Sequence, residues 1–229
     1  MEKFIKNSNR DILFSLCQYG MGNVWTWGAT VGGNSWRTTG DITDTWASLS
    51  AIGFGQYPAS PYTAPGHFND PDMLVVGKVG WGPSLHPTRL SPEEQYTHIS
   101  LWCLLSSPLL IGCDMSQLDA FTLNLLTNDE VLAIDQDAAA KPAIKVYDKN
   151  LLQVWTKELG DGSRAIGIFN LSDSGMNATL DFETLKLASN QKLRDCWRQK
   201  DLGIMSKNYT SYISSHGVLL LKAKSDKPK

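Results

Sequence analysis

The sequence predicts an α/β fold, a parallel sheet of βα units over residues 1–139, followed over residues 140–229 by an all-β antiparallel sandwich. Three observations carry this. Short, nearly continuous apolar runs alternate with helical segments four times between residues 11 and 135, the pattern of strands buried on both faces. Beyond Asp135-Gln136-Asp137 no helical period of useful length remains, and strand-like runs are punctuated by Gly, Asp, Asn and Ser. With 229 residues, 42% hydrophobic and 19% charged, the chain can build one large or two ordinary domains.

Taken in order, residues 1–10 read as the tail of a helix, and the apolar run at 12–17 as a strand ending in the loop Gln18-Tyr19-Gly20-Met21-Gly22. Residues 23–30 suit one or two helical turns. A strand at Trp36 then stops at Gly40, with Asp41 just past its end. Thr43 or Asp44 can cap a helix over about 45–55. Strands are expected at 73–76 and 108–112. Between them Ser91-Pro92-Glu93-Glu94 opens a helix with Ser as cap, Pro in the first turn and Glu at the capping-box position. Helices are expected at 117–126 and 129–134. The second domain should hold strands at 144–147, 151–157, 164–170, 178–182, 193–197 and 218–223, with the Lys-rich residues 222–229 a loose tail.

Composition excludes several roles. Net charge is −2 with no basic cluster along one face, which argues against nucleic acid and anionic membrane as partners. The longest apolar run, 101–111, is interrupted by Ser106, Ser107 and Pro108 and is too short to span a bilayer. Cys17, Cys103, Cys113 and Cys196 show no C-x-x-C spacing and read as free thiols, and the four histidines are scattered, so no metal or cofactor is assigned. The first residues lack the apolar core of a signal peptide. Asn170-Leu171-Ser172, Asn177-Ala178-Thr179 and Asn208-Tyr209-Thr210 fit the glycosylation triplet, which carries meaning only in a chain secreted from a eukaryote.

The chemistry gathers at the strand ends. Cys17-Gln18-Tyr19, Arg37 with Asp41, and Asp114 follow expected strands, Asp70 with Asp72 border the one expected at 73–76, and all are placed on the rim that strand ends share in a parallel α/β sheet. Carboxylates among aromatics, without a phosphate loop, fit glycoside hydrolysis better than phosphoryl or hydride transfer. Four βα units leave two architectures open, a compact open sheet or half of an eight-fold barrel.

Four ordered motifs resolve this by resemblance: Leu16-Cys17-Gln18-Tyr19-Gly20, residues 33–42 around Trp36-Arg37-Thr38-Thr39-Gly40-Asp41, Phe68-Asn69-Asp70-Pro71-Asp72-Met73-Leu74-Val75, and Ile134-Asp135-Gln136-Asp137. Together they resemble the family 27 glycoside hydrolases, the α-galactosidases and α-N-acetylgalactosaminidases. The resemblance implies the C-terminal half of a (β/α)8 TIM barrel followed by a β-sandwich, and a retaining mechanism on a galactoside-type carbohydrate. It places the general acid/base on Asp41 and substrate contacts on Arg37, Asp72, Met73, Cys17, Gln18 and Tyr19. It implies no cofactor or metal, and suggests an extracellular or periplasmic setting. The retaining nucleophile, needed about 5 Å from the acid, belongs to the strand before residue 12 and is not in this chain. Gln18 stands where many members carry glutamate, which leaves galactose, N-acetylgalactosamine and an arabinopyranose open. A non-catalytic remnant that binds sugar or only pairs with a partner is the alternative. With two sheet edges uncovered, the chain is expected to self-associate or to need a matching N-terminal half.

Overall fold

The computed structural model describes residues 1–80 and 82–226. Helix α1 (Glu2–Lys6) is followed by β1 (Ser15–Leu16), two 3₁₀ turns at Val24–Thr26 and Gly28–Val31, β2 (Ser35–Arg37), α2 (Trp46–Phe54) and β3 (Phe68–Asp70). A small hairpin of β4 (Lys78–Val79) and β5 (His86–Pro87) leads to α3 (Pro92–Leu104), α4 (Ala120–Thr127) and α5 (Asp129–Asp135). The remaining strands are β6 (Ile144–Lys149), β7 (Leu152–Glu158), β8 (Arg164–Asn170), β9 (Met176–Asp181), β10 (Gln191–Asp195), β11 (Lys200–Met205), β12 (Asn208–Ile213) and β13 (Val218–Ser225).

β1, β2 and β3 lie side by side in chain order and all parallel, with Leu16 beside Trp36 and Arg37 beside Asp70. The fourth position is a single parallel bridge: the Leu74 amide donates to the Leu110 carbonyl at 2.7 Å, and the Gly112 amide to the Leu74 carbonyl at 3.1 Å. The strands expected at 73–76 and 108–112 therefore shrink to one ladder step. Leu74, Val75 and Val76 are buried as anticipated. The Val75 amide, however, donates to His98 Nε2 on α3 (3.1 Å) instead of to a neighbouring strand. Apolar content set their burial; the hydrogen-bond partner set their geometry.

Helix α3 forms with the full capping box, Ser91 Oγ accepting from the Glu94 amide and Glu94 returning to the Ser91 amide. It runs through the centre of the molecule with ten of its residues buried. α2 is capped by Thr45, whose hydroxyl accepts from the Ser48 amide. Neither Thr43 nor Asp44 caps it, because Asp44 is taken by Arg89. α2 crosses α3 closely enough that a Cβ on Gly53 would lie 2.6 Å from a Leu101 methyl. The expected helix at 117–126 starts later, at Ala120, after a 3₁₀ turn at Met115–Gln117 capped by Asp114.

The second region is a six-stranded antiparallel sheet in the order β11-β10-β13-β8-β7-β6, covered on one face by the pair β12-β9. Its central strands are buried on both sides. Val154, Ile166, Ile168, Leu219 and Leu221 face the sandwich interior, while Trp155, Ala165, Phe169 and Leu220 join the core built around α3. Gly167 lets β8 press on that helix, for a Cβ there would lie 2.5 Å from Leu104. Lys157, fully buried, reaches across the junction to the Cys103 carbonyl (3.1 Å) and Ser106 Oγ (2.7 Å) at the end of α3. β11 and β12 were not anticipated from sequence. The expected tail is also partly strand, since Lys222 and Lys224 pair within β13; its last residues, 227–229, lie outside the described residues. Asn170 is buried and donates to the Ser174 and Ser214 carbonyls, so it is closed to glycosylation, whereas Asn177 and Asn208 are exposed.

Candidate functional site

Parallel pairing of β2 with β3 brings Arg37 and Asp70 level at the C-terminal ends of their strands. The ends are fixed from beneath by buried polar residues. Trp36 Nε1 donates to Asn69 Oδ1 (2.7 Å), and the Asn69 amide donates to the Ala59 carbonyl and to Thr63 Oγ1. Thr38 Oγ1 donates to Gln56 Oε1 (2.8 Å). Each such bond removes a buried group's desolvation cost, so the strand ends have one arrangement in which every partner is met.

Asp70 then shapes the turn. Its Oδ1 accepts from the Asp72 amide at 2.8 Å, and Asp72 is held at φ 89°, a conformation side chains rarely adopt. Burial pushes the Asp70 carboxyl above the usual carboxylate range. Trp102 Nε1 on α3 donates to the Asp72 carbonyl (2.8 Å) and locks the turn from the other side. The buried Asp72 side chain in turn accepts from Arg37 Nη2 (2.8 Å) and the Ile42 amide (2.8 Å) through Oδ2, and from the Met73 amide (2.7 Å) through Oδ1. Ile42 follows Asp41, so Asp72 fixes both the guanidinium and the loop carrying the acidic residue.

Arg37 Nη2 also donates to Asp41 Oδ1 at 3.1 Å and to the Thr39 carbonyl at 3.4 Å. The Asp41 side chain is 75% exposed, against 12% for Arg37 and 9% for Asp72. One buried and one open carboxylate thus share a guanidinium. Arg37 Nε is buried with no hydrogen-bond partner among the described residues, a donor left unmet beside the open carboxylate. Tyr19, at φ 52°, lays its ring 5.4 Å from the Arg37 guanidinium. Its phenol is pushed above the ordinary tyrosine value by hydrogen bonding to Cys17 and the charge there, then by the Asp41 charge. Cys17 is exposed and Gln18 half-buried on the same loop, which the Gly20 amide ties to the Arg37 carbonyl at 3.0 Å.

The structure therefore brings Cys17, Gln18, Tyr19, Arg37, Asp41, Asp72 and Met73 onto one rim. Asp114 does not contribute; its carboxylate caps the Met115–Gln117 turn. His67 bonds the Gly33 carbonyl (2.8 Å). The sequence offered Asp44 only as a helix cap; its carboxylate instead accepts from the Arg89 guanidinium and amide and anchors the far side of the Asp41 loop. Burial works to raise that carboxyl, and the Arg89 bonds outweigh it and hold it below its ordinary value. The D-x-x-D spacing of Asp41 and Asp44 was the available signal.

A family model described as Alpha galactosidase A matches residues 6–137, and one described as Alpha galactosidase C-terminal beta sandwich domain matches residues 149–223. The chain belongs to the alpha-galactosidase family. Alpha-galactosidase 2 of Arabidopsis thaliana is 36% identical over 218 residues, covering 94% of this chain and 52% of that protein. Among solved structures, the GH27 β-L-arabinopyranosidase of Geobacillus stearothermophilus superposes with a TM-score of 0.91 at 31% identity, over 100% of this chain and 53% of that one. Alpha-galactosidase I of Mortierella vinacea gives 0.89 at 27% identity, over 98% and 61%. The chain spans about half the length of the curated relatives it matches. Its fold is accordingly the C-terminal half of a (β/α)8 barrel joined to the family's β-sandwich.

Proposed function

We propose that this chain supplies the general acid/base and part of the sugar pocket of a retaining glycosidase acting on terminal α-galactosyl residues. The observation that carries the reading is the open Asp41 carboxyl, held at 3.1 Å by a guanidinium that the buried Asp72 fixes from behind. Asp41 protonates the departing glycosidic oxygen, then takes a proton from the water that frees the sugar. The nucleophilic carboxylate comes from a complementary N-terminal half-barrel, about 5 Å from Asp41. Arg37 meets the sugar through the 12% of its side chain left exposed beside Asp41. Asp72, already accepting from three donors, keeps room for about one more hydroxyl among its lone pairs. Cys17, Gln18, Tyr19 and Met73 shape the remaining wall.

The test uses this chain assembled with a matching N-terminal half-barrel. Asp41→Ala should cut hydrolysis of a galactosyl disaccharide by on the order of a thousandfold, and an activated aryl galactoside much less at the glycosylation step, because a good leaving group needs no acid. Added azide should then yield the glycosyl azide. Equal losses on both substrates without azide rescue would contradict the assignment. A second sugar has its own support, since the arabinopyranosidase matches this chain as well as the α-galactosidase structures do. Parallel assays on aryl α-galactoside and aryl β-L-arabinopyranoside decide between them.

A further inference from the structure

The Asp41 loop runs directly into α2, whose first residue is Trp46. On the barrel side the loop is tied down by Asp72 to the Ile42 amide, by Arg89 to Asp44, and by Ser48 Oγ to the Thr43 amide (2.9 Å). The other side is met by a residue from the sandwich. His216, in the turn between β12 and β13, stacks on the Trp46 indole with ring centroids 4.1 Å apart and planes 11° from parallel.

His216 is itself held on every side. Nδ1 lies 2.7 Å from Glu94 Oε1, and Nε2 lies 3.1 Å from Asp173 Oδ1. Its carbonyl accepts from Thr97 Oγ1 at 2.7 Å, its amide donates to the Ser172 carbonyl, and its backbone sits at φ 54°. Glu94 is the residue whose other oxygen closes the α3 capping box. One imidazole therefore joins the sandwich turn, the start of α3 and the start of α2. A histidine in the left-handed region, spanning two carboxylates and lying flat on an indole, is more constrained than domain packing alone requires.

We propose that His216 is a positioning residue through which the β-sandwich holds the Asp41 loop in register with Arg37 and Asp72. This rests on the reading of Asp41 as the acid/base, but the coupling can be measured without turnover. The ring plate fixes where α2 begins, and the four residues between Asp41 and Trp46 leave the carboxyl little freedom once Ile42 and Asp44 are bonded.

The experiment is amide hydrogen exchange on this chain, comparing wild type, His216→Ala and His216→Phe. His216→Ala should speed exchange over residues 42–47 by about tenfold, with β8 and β13 amides unchanged. His216→Phe, which keeps the stack and loses the hydrogen bonds to Glu94 and Asp173, should restore most of the protection. Unchanged exchange over 42–47, a uniform rise across the chain, or no recovery with Phe would each overturn the proposal. In the assembled enzyme, His216→Ala should lower kcat about tenfold on an unactivated galactoside with KM within about twofold, since only presentation of the acid changes. Wild-type assembly without turnover would sink the glycosidase reading while leaving the exchange result to stand for the coupling itself.

Discussion

The two regions treat their sheet edges differently. In the six-stranded sheet of the sandwich, β6 and β11 are the edges, and both are blunted. β6 carries Lys145, Asp148 and Lys149 and is bulged against β7 between Lys145 and Tyr147; β11 carries Lys200 and Asp201, and its ladder with β10 is bulged between Leu193 and Arg194. Charges and bulges are how sheets discourage unwanted pairing. In the half-barrel, the flank before β1 exposes Ile12 (46%) and Leu13 (73%), and the opposite edge exposes Leu110 (50%) and Ile111 (45%). Arg10, Asp11 and Pro108 stand beside them, so these edges differ chiefly in how little of each is paired, two residue pairs at β1 and one bridge at Leu74–Ile111. The region that holds the proposed site thus has the shortest ladders, while the sandwich is built on ladders of five to seven residue pairs and packs on its neighbour through Phe169, Trp155 and Lys157.

Changes that separate these roles sharpen the contrast, beginning with the largest. Asp41→Asn in the assembled protein should lower hydrolysis of an unactivated galactoside by about three orders of magnitude and leave the urea midpoint of the chain unchanged, because an exposed carboxylate contributes little to folding. Phe169→Ala, at the junction, should cost about 3–5 kcal/mol and still give one transition by fluorescence and circular dichroism, because the core around α3 is shared. Two separated transitions would show that the regions fold independently.

A smaller effect depends on pH. Burial pushes the Asp135 carboxyl up to about 7, against the pull of the nearby Lys157 ammonium. A folded state that holds the proton more tightly than the unfolded chain has its full contribution below about pH 4 and loses it as pH rises towards 7. Asp135→Asn, with no proton to lose, should therefore gain stability relative to wild type as pH rises from 4 to 8, the gap closing again by pH 4. Urea melts at the two pH values check the sign. The smallest effect on stability, under about 0.5 kcal/mol, is expected from Leu110→Lys. It should nevertheless reduce self-association in sedimentation, whereas Ile204→Lys on the blunted β11 edge should not.

How much of this was legible in the sequence follows from which force fixes each element. α3 was readable because its capping box is local and its residue types announce it. The central sandwich strands were readable because burial on both faces makes them continuously apolar. β3 was not, since Phe68-Asn69-Asp70 has two polar residues whose burial is met only by partners distant in sequence, such as Trp36 at 2.7 Å from Asn69. The apolar 73–76 run took the strand's place in the prediction because hydrophobicity reports burial and not pairing. β11 and β12 were missed for the opposite reason: much of each strand is exposed, and although β12 alternates in burial its residue types do not follow, Ser211 turning inward and Tyr212 outward. At the site, Arg37 and Asp41 are four residues apart and visible together, but the role of Asp72 in holding both depends on a φ of 89° that no composition reveals.

The measurement that bears most directly on the central claim is hydrolysis of an aryl α-galactoside by this chain alone and after assembly with an N-terminal half-barrel carrying the nucleophile. Turnover only in the assembled sample, and its loss when that half's nucleophile is replaced, is the predicted result. Robust turnover by this chain alone would contradict it, because a retaining site would then have to be complete within residues that supply a single open carboxylate beside Arg37.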